Sequence, residues 1–147
     1  MRIAGVLKTS LVNGEGIRYV IFVQGCAHSC KGCQNPNTWD FDGGHDVDVD
    51  DLYMDILRRR KVLTGITLSG GDPFYQQDEC VKLLKLLPDD LDVWIYTGFR
   101  YEEICDTELA KLADIIVDGP FIEELKCEGT YFGSSNQRIV RVKQICQ

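Results

Sequence analysis

Ile17-Arg18-Tyr19-Val20-Ile21-Phe22-Val23-Gln24-Gly25-Cys26-Ala27-His28-Ser29-Cys30-Lys31-Gly32-Cys33 is the stretch that decides the fold. Its first seven residues are a β-branched and aromatic run, which reads as a buried strand. The run passes straight into Gly25-Cys26 and a segment rich in Gly, Asn, Pro and Cys that reaches Gly44, which reads as loop. Three further runs repeat the arrangement. Residues 65–68 (GITL) end at Ser69-Gly70-Gly71-Asp72-Pro73, residues 92–96 (DVWIY) at Thr97-Gly98, and residues 114–117 (DIIV) at Asp118-Gly119-Pro120. Helical patterns separate them. Asp48 reads as an N-cap before an apolar stripe of Val49, Leu52, Tyr53, Ile56 and Leu57. A second helix is expected over 76–87, with Cys80, Leu83, Leu84 and Leu87 inward, and a third over 102–112. The tail from Gly129 reads as loop and then a strand at 139–142.

Strands alternating with helices predict βα units and a parallel sheet. The chain has 147 residues, short of the about 250 of a full eight-fold barrel. The expected fold class is therefore α/β, a partial and open parallel barrel. No repeat, low-complexity tract or linker interrupts it, so one domain over 1–147 is expected. The unusual residues all follow strands. In parallel α/β folds ligands bind beyond the carboxyl ends of the strands, so these turns should share one end of the sheet.

Hydrophobic residues make up 44% of the chain, enough for a core, and the net charge is −7. That balance argues against a general grip on nucleic acid or anionic lipid. Arg58-Arg59-Arg60-Lys61, the most basic stretch, reads as the solvated C-terminal turn of a helix. No signal peptide is expected in MRIAGVLKTS, and no run approaches the about 20 apolar residues of a membrane span. A cytoplasmic protein is expected. The seven cysteines are odd in number, and three crowd into eight residues, which in a cytosolic chain points to metal or catalysis before disulfides.

Cys26, Cys30 and Cys33 form a C-x3-C-x2-C spacing. Three thiolates so close on a loop can wrap one cubane cluster and leave one iron without a protein ligand, unlike a four-cysteine ferredoxin site. Structural zinc wants four ligands. His28 would be strained as the fourth, because it sits inside the first cysteine pair, while a remote Cys127 or Cys146 could complete a zinc or iron site. The paired glycines Gly70 and Gly71 would let a small ligand approach the backbone, and Asp72 offers a carboxylate to an ammonium group. The plainer reading of that turn is a strand-to-helix connection with Asp as cap and Pro at the first helical position. Cys80 and Cys105 lie on apolar helical stripes and read as small core residues. His28 and His45 lie in polar loop sequence and need no special role.

These residues resemble the radical S-adenosylmethionine (SAM) superfamily, and more closely the anaerobic ribonucleoside-triphosphate reductase activating proteins. The resemblance is carried by Asn13-Gly14-Glu15-Gly16-Ile17-Arg18, Phe22-Val23-Gln24-Gly25-Cys26, Cys33-Gln34-Asn35-Pro36-Asn37-Thr38-Trp39, Leu68-Ser69-Gly70-Gly71-Asp72-Pro73, Trp94-Ile95-Tyr96-Thr97-Gly98-Phe99, Val117-Asp118-Gly119-Pro120-Phe121 and Gly133-Ser134-Ser135-Asn136-Gln137-Arg138. It implies a three-quarter, (βα)6-like barrel and a [4Fe–4S] cluster on Cys26, Cys30 and Cys33. SAM would chelate the open iron through its amino and carboxylate groups. Gly70, Gly71 and Asp72 would hold the methionyl end. The backbone of Gly32, Cys33 and Gln34 would meet the adenine, and Tyr96 or Thr97 the ribose.

The implied reaction is reductive cleavage of SAM to methionine and a 5′-deoxyadenosyl radical. That radical takes a hydrogen atom from a backbone glycine of the partner reductase. The cofactors carry the hard chemistry, with an electron donor such as flavodoxin or ferredoxin. Residues 118–121 and 133–138 would lie at the rim where the partner docks. Two other functions stay open on the sequence: a radical SAM enzyme acting on a small molecule, of the 7-deazaguanine-forming type, and a non-enzymatic Fe–S or zinc module.

Overall fold

The computed structural model describes residues 1–28, 30–33, 36–128 and 130–142. Its elements in chain order are β1 (Arg2–Ser10), β2 (Arg18–Val23), β3 (His45–Asp46), α1 (Val49–Arg58), β4 (Gly65–Gly70), α2 (Gln77–Leu86), β5 (Asp92–Tyr96), α3 (Tyr101–Ile104), α4 (Glu108–Leu112), β6 (Ile115–Asp118) and β7 (Arg138–Arg141). They build one seven-stranded sheet in the order β3-β1-β2-β4-β5-β6-β7. β2, β4, β5 and β6 run parallel, as the alternating pattern predicts. The edges are antiparallel: β1 on β2, β3 on β1, and β7 on β6. The parallel part of the open sheet is thus four strands, and antiparallel strands extend it on both sides.

The period of 2 along each strand sorts side chains onto two faces. Tyr19, Ile21, Ile66, Leu68, Val93, Ile95 and Ile116 face the helices, where they pack with Leu52, Ile56, Cys80, Leu83 and Leu109. Burying each such Leu or Ile stabilises by about 1.5–3 kcal/mol. The other face carries Trp94, Ile115 and Val117, packed with Tyr96, Tyr131 and Phe132. α1 follows its predicted stripe, and its N-cap Asp48 accepts from the Asp50 N–H at 2.9 Å. α1 ends at Arg58; Arg60 beyond it pairs with exposed Asp90.

The predicted helix over 102–112 is two short helices. The Thr107 hydroxyl accepts from the Ala110 N–H at 3.2 Å and starts α4 afresh. N-caps of this kind contribute about 1 kcal/mol, enough to offset the hydrogen bonds lost at the break. Cys105 falls in that break, half-buried, with its thiol toward the Glu102 carbonyl at 3.7 Å. It is therefore not the core residue that the helical stripe predicts, whereas Cys80 is fully buried. β1 and β3 lie outside the strands read from sequence. In β1 only Ile3 and Ser10 are buried, and the register shifts between Ile3 and Gly5, so the alternation is weak. His45 is exposed on β3 and pairs with Ile3 across the ladder.

The amino ends of the parallel strands are closed by Arg18. Its side chain is fully buried. Nε donates to the Thr67 hydroxyl (2.7 Å), Nη1 to the Glu15 carbonyl (2.9 Å) and Nη2 to the Ile66 carbonyl (2.6 Å). Nη2 also pairs with Asp92 Oδ1 at 2.6 Å, and the guanidinium lies 5.5 Å from the Trp94 ring centre. Gly65 fits here because a Cβ would stand 2.1 Å from Asp92 Oδ1. Asp92 is 42% exposed and can be solvated once Arg18 is gone, so the main cost of Arg18→Ala is the buried hydrogen-bond partners left unpaired, about 1–3 kcal/mol each before relaxation. An Arg18→Ala chain is expected to lose about 2–4 kcal/mol in urea unfolding. A loss under about 1 kcal/mol would show that water replaces the guanidinium at no cost.

Candidate functional site

The carboxyl ends of β2, β4, β5 and β6 open into a cleft of about 830 Å³. The three loop cysteines, His28, Ser69, Gly70, Gly71, Tyr96, Thr97 and Gly98 line it. The strand-end turns singled out by sequence thus meet at one place, as parallel topology requires.

The root of the cysteine loop is held on both sides. On one, the Gly25 N–H donates to the Thr38 carbonyl (2.6 Å) and the Cys26 N–H to the Trp39 carbonyl (3.2 Å). On the other, the Gly71 N–H donates to the Val23 carbonyl (2.8 Å) and the Asp72 N–H to the Gly25 carbonyl (2.9 Å). The paired glycines have a structural cause. A Cβ on Gly71 would stand 2.4 Å from the Gly25 carbonyl oxygen, and Gly70 has φ +97°. Past the root, the Cys33 N–H donates to the Cys30 carbonyl at 3.1 Å, and Gly32 takes φ +74° in that turn. Glu123 packs on Gly32, where a Cβ would stand 2.8 Å from the Glu123 carboxyl carbon. Gln34 lies outside the described residues.

Among the described residues, Cys26, Cys30 and Cys33 form no disulfide, and all three are half-buried. Burial, then the negative charge of Asp72 and of the other two cysteines, pushes the Cys26 thiol up to about 11, against a hydrogen bond from the His28 backbone N–H. A metal centre binding here must therefore displace a proton from Cys26. Among the described residues, no three His, Cys, Asp or Glu side chains converge as one bound ion would need. A cubane differs in kind, because it takes each thiolate on a separate iron.

Asp72, the carboxylate that the sequence offers to an ammonium group, has its oxygens engaged by the protein. It is fully buried and does not line the cleft. Oδ1 accepts from the Phe74 N–H (3.1 Å), and Oδ2 from the Gly98 N–H (2.9 Å). The Thr97 hydroxyl stands 2.9 and 2.8 Å from the two oxygens. His28 Nε2 completes the set at 2.7 Å from Oδ2. The helix-cap reading of Asp72 holds, and His28 has a role that the sequence reading withheld. The two are 44 residues apart in sequence, so no local pattern links them. The only available signal is that both follow neighbouring parallel strands.

Tyr96 lines the cleft, but its hydroxyl donates to the Tyr131 carbonyl at 2.6 Å, and burial pushes its pKa up. Residues 118–121 and 133–138 do meet at the cleft, through Gly119, Phe121, Gly133 and Gln137. Their polar groups are spent on each other. Asn136 Nδ2 donates to the Pro120 carbonyl (2.8 Å) and Gln137 Nε2 to the Gly119 carbonyl (2.9 Å). Gln137 Oε1 accepts from the Gly133 N–H at 2.8 Å. Arg138 pairs with buried Asp118 and, at 2.8 Å, with Glu102, which holds the Glu102 carboxyl down at about 2. Cys127 also lines the cleft; Cys146 lies outside the described residues.

Comparison with known proteins agrees with this geometry. A family model described as a 4Fe-4S single cluster domain matches residues 12–140. A protein of Enterobacteria phage T4 is 35% identical over 140 residues, covering 91% of this chain and 90% of its own. One from Haemophilus influenzae is 37% identical, covering 92% and 94%. One from Vibrio cholerae serotype O1 is 38% identical, covering 89% and 92%. All three bear the name anaerobic ribonucleoside-triphosphate reductase-activating protein. The crystal structure of QueE from Escherichia coli shares the fold, with a TM-score of 0.55 at 14% identity, over 97% of this chain and 66% of that one.

Proposed function

Since this chain belongs to the anaerobic ribonucleoside-triphosphate reductase-activating proteins, we propose that it is a radical SAM activase whose target is a glycine of that reductase. The observation that carries the reading is the convergence of Cys26, Cys30 and Cys33 with the glycine turn of β4 in one cleft at the carboxyl ends of parallel strands. Held on those cysteines, a [4Fe–4S] cluster would supply the one electron that splits SAM into methionine and a 5′-deoxyadenosyl radical, and that radical would take the hydrogen atom of the target glycine and leave as 5′-deoxyadenosine.

The residues fit that group. The three cysteines stand on one short loop, and their number would leave one iron for SAM. Gly70 and Gly71, which line the cleft without side chains, are assigned to the methionyl end. Asp72, enclosed behind them, keeps their backbone in place. Gly32 and Cys33 are assigned to the adenine, with Gln34 beside them. Tyr96 and Thr97 border the ribose, Thr97 with its hydroxyl already turned to Asp72. The strapped segments at 118–121 and 133–138 form a firm rim for the reductase, and a flavodoxin- or ferredoxin-type donor would deliver the electron. Among the described residues no helix is long and apolar enough to cross a membrane.

The test is to incubate the reduced, reconstituted protein with SAM and the anaerobic reductase. A glycyl radical signal in EPR, matched by release of 5′-deoxyadenosine, is the expected result. Release of 5′-deoxyadenosine with no radical on the reductase would exclude the activase reading. An unchanged cluster signal on SAM addition would exclude radical SAM chemistry altogether.

A further inference from the structure

The His28 ring is fixed from every side that the fold offers. Nε2 lies 2.7 Å from Asp72 Oδ2. The ring meets Phe99 edge-on at 4.6 Å between centres and Tyr75 at 5.7 Å. Gly98 is a glycine against this ring, since a Cβ there would stand 2.6 Å from His28 Cδ2. Only 17% of the side chain is exposed. With Nε2 committed to Asp72, that nitrogen does not serve as a fourth metal ligand. Yet His28 sits midway in sequence between Cys26 and Cys30, on the loop that carries the cysteines.

Asp72 ties three loops together at one carboxylate. His28 comes from the loop after β2, the Phe74 N–H from the turn after β4, and Thr97 and the Gly98 N–H from the turn after β5. Preorganised sites need such support, because ligands left to their own loops drift from working geometry.

We propose that His28 is a positioning residue: its ring bond to Asp72 fixes the cysteine loop against the β4 and β5 turns, so that cluster ligands and SAM-binding backbone stand in one register. This rests on the function proposed above. It also gives Asp72 its role, as the hub behind the glycine turn.

Two variants test it in the full chain, reconstituted with iron and sulfide. His28→Leu keeps apolar bulk and drops the donor. His28→Gln returns an amide donor close to the place of Nε2. Iron per chain, SAM affinity and the EPR line shape of the reduced cluster are measured. His28→Leu is expected to retain its cysteine-held iron, to show an altered EPR line shape before SAM is added, and to bind SAM about tenfold more weakly, the low end of what loss of one outer-shell support costs at a metal site. His28→Gln is expected to recover most of both. Wild-type SAM affinity and line shape in His28→Leu would overturn the proposal. So would equal loss in both variants, because ring shape and not the hydrogen bond would then carry the effect. If His28→Leu takes up no iron, recovery of iron by His28→Gln sustains the proposal and failure overturns it. Failure of the unmodified chain to take up a cluster or bind SAM would strike the proposed function instead.

Discussion

Chains carrying Cys26→Ala, Cys30→Ala or Cys33→Ala are expected to emerge from iron–sulfur reconstitution without a [4Fe–4S] chromophore and without SAM cleavage. On the proposed reading each thiolate would hold its own iron, so a single loss would leave two irons of the cubane without a protein ligand. Folding should be nearly untouched. The three side chains are half-buried, and such substitutions away from the core cost about 1 kcal/mol or less. The colourless variants should therefore unfold in urea close to the unmodified apo chain. Alanine at Cys80, Cys105 or Cys127 should leave iron content intact, although Cys80→Ala will weaken the core in which it is fully buried. A Cys30→Ala protein that binds four irons and cleaves SAM would remove the basis of the site.

Asp72→Ala is expected to destabilise the apo chain by about 3–5 kcal/mol, the range for stripping one partner from a buried charged network. The Phe74 and Gly98 N–H groups, the Thr97 hydroxyl and the His28 ring would all lose their acceptor. Each buried donor left unpaired costs about 1–3 kcal/mol before relaxation or entering water offsets it. Asp72→Asn, which keeps an acceptor oxygen, should lose clearly less. Reading Asp72 as an ammonium ligand alone predicts another outcome: normal urea stability, an intact cluster, and SAM affinity ten- to a hundred-fold lower, about 1.5–3 kcal/mol. Urea unfolding of the apo protein separates the two without any cofactor. A midpoint equal to the unmodified chain would return Asp72 to the ligand role.

What the sequence disclosed follows from the range of the forces involved. The β2 run and the α1 stripe are local periodicities, and both elements stand where those periods put them. The gathering of strand-end turns follows from parallel topology and needs no side-chain detail. The helix over 102–112 failed because apolar spacing is blind to a capping hydroxyl: Thr107 can continue one helix or begin another, and here it begins α4. Within the site, three cysteines in eight residues announce themselves, while Asp72 and His28 acquire their meaning only from each other. The density of polar residues at 133–138 reads as a binding surface. It has an internal cause as well, since Asn136, Gln137 and Arg138 all serve the turn at 118–120.

The antiparallel margins of the sheet bear on solubility. An unpaired strand edge is a template for another chain, and proteins blunt such edges by brevity or charge. β3 is two residues long and exposed. β7, which has no second neighbour among the described residues, carries Arg138 and Arg141, both exposed, at its two ends. A foreign strand adding at β7 would have to bury these guanidinium groups or break the pairing of Arg138 with Glu102 and Asp118. β2, β4, β5 and β6, which carry the cleft, lie inside these margins, so strand exchange between molecules would reach them only after a guard strand had been displaced.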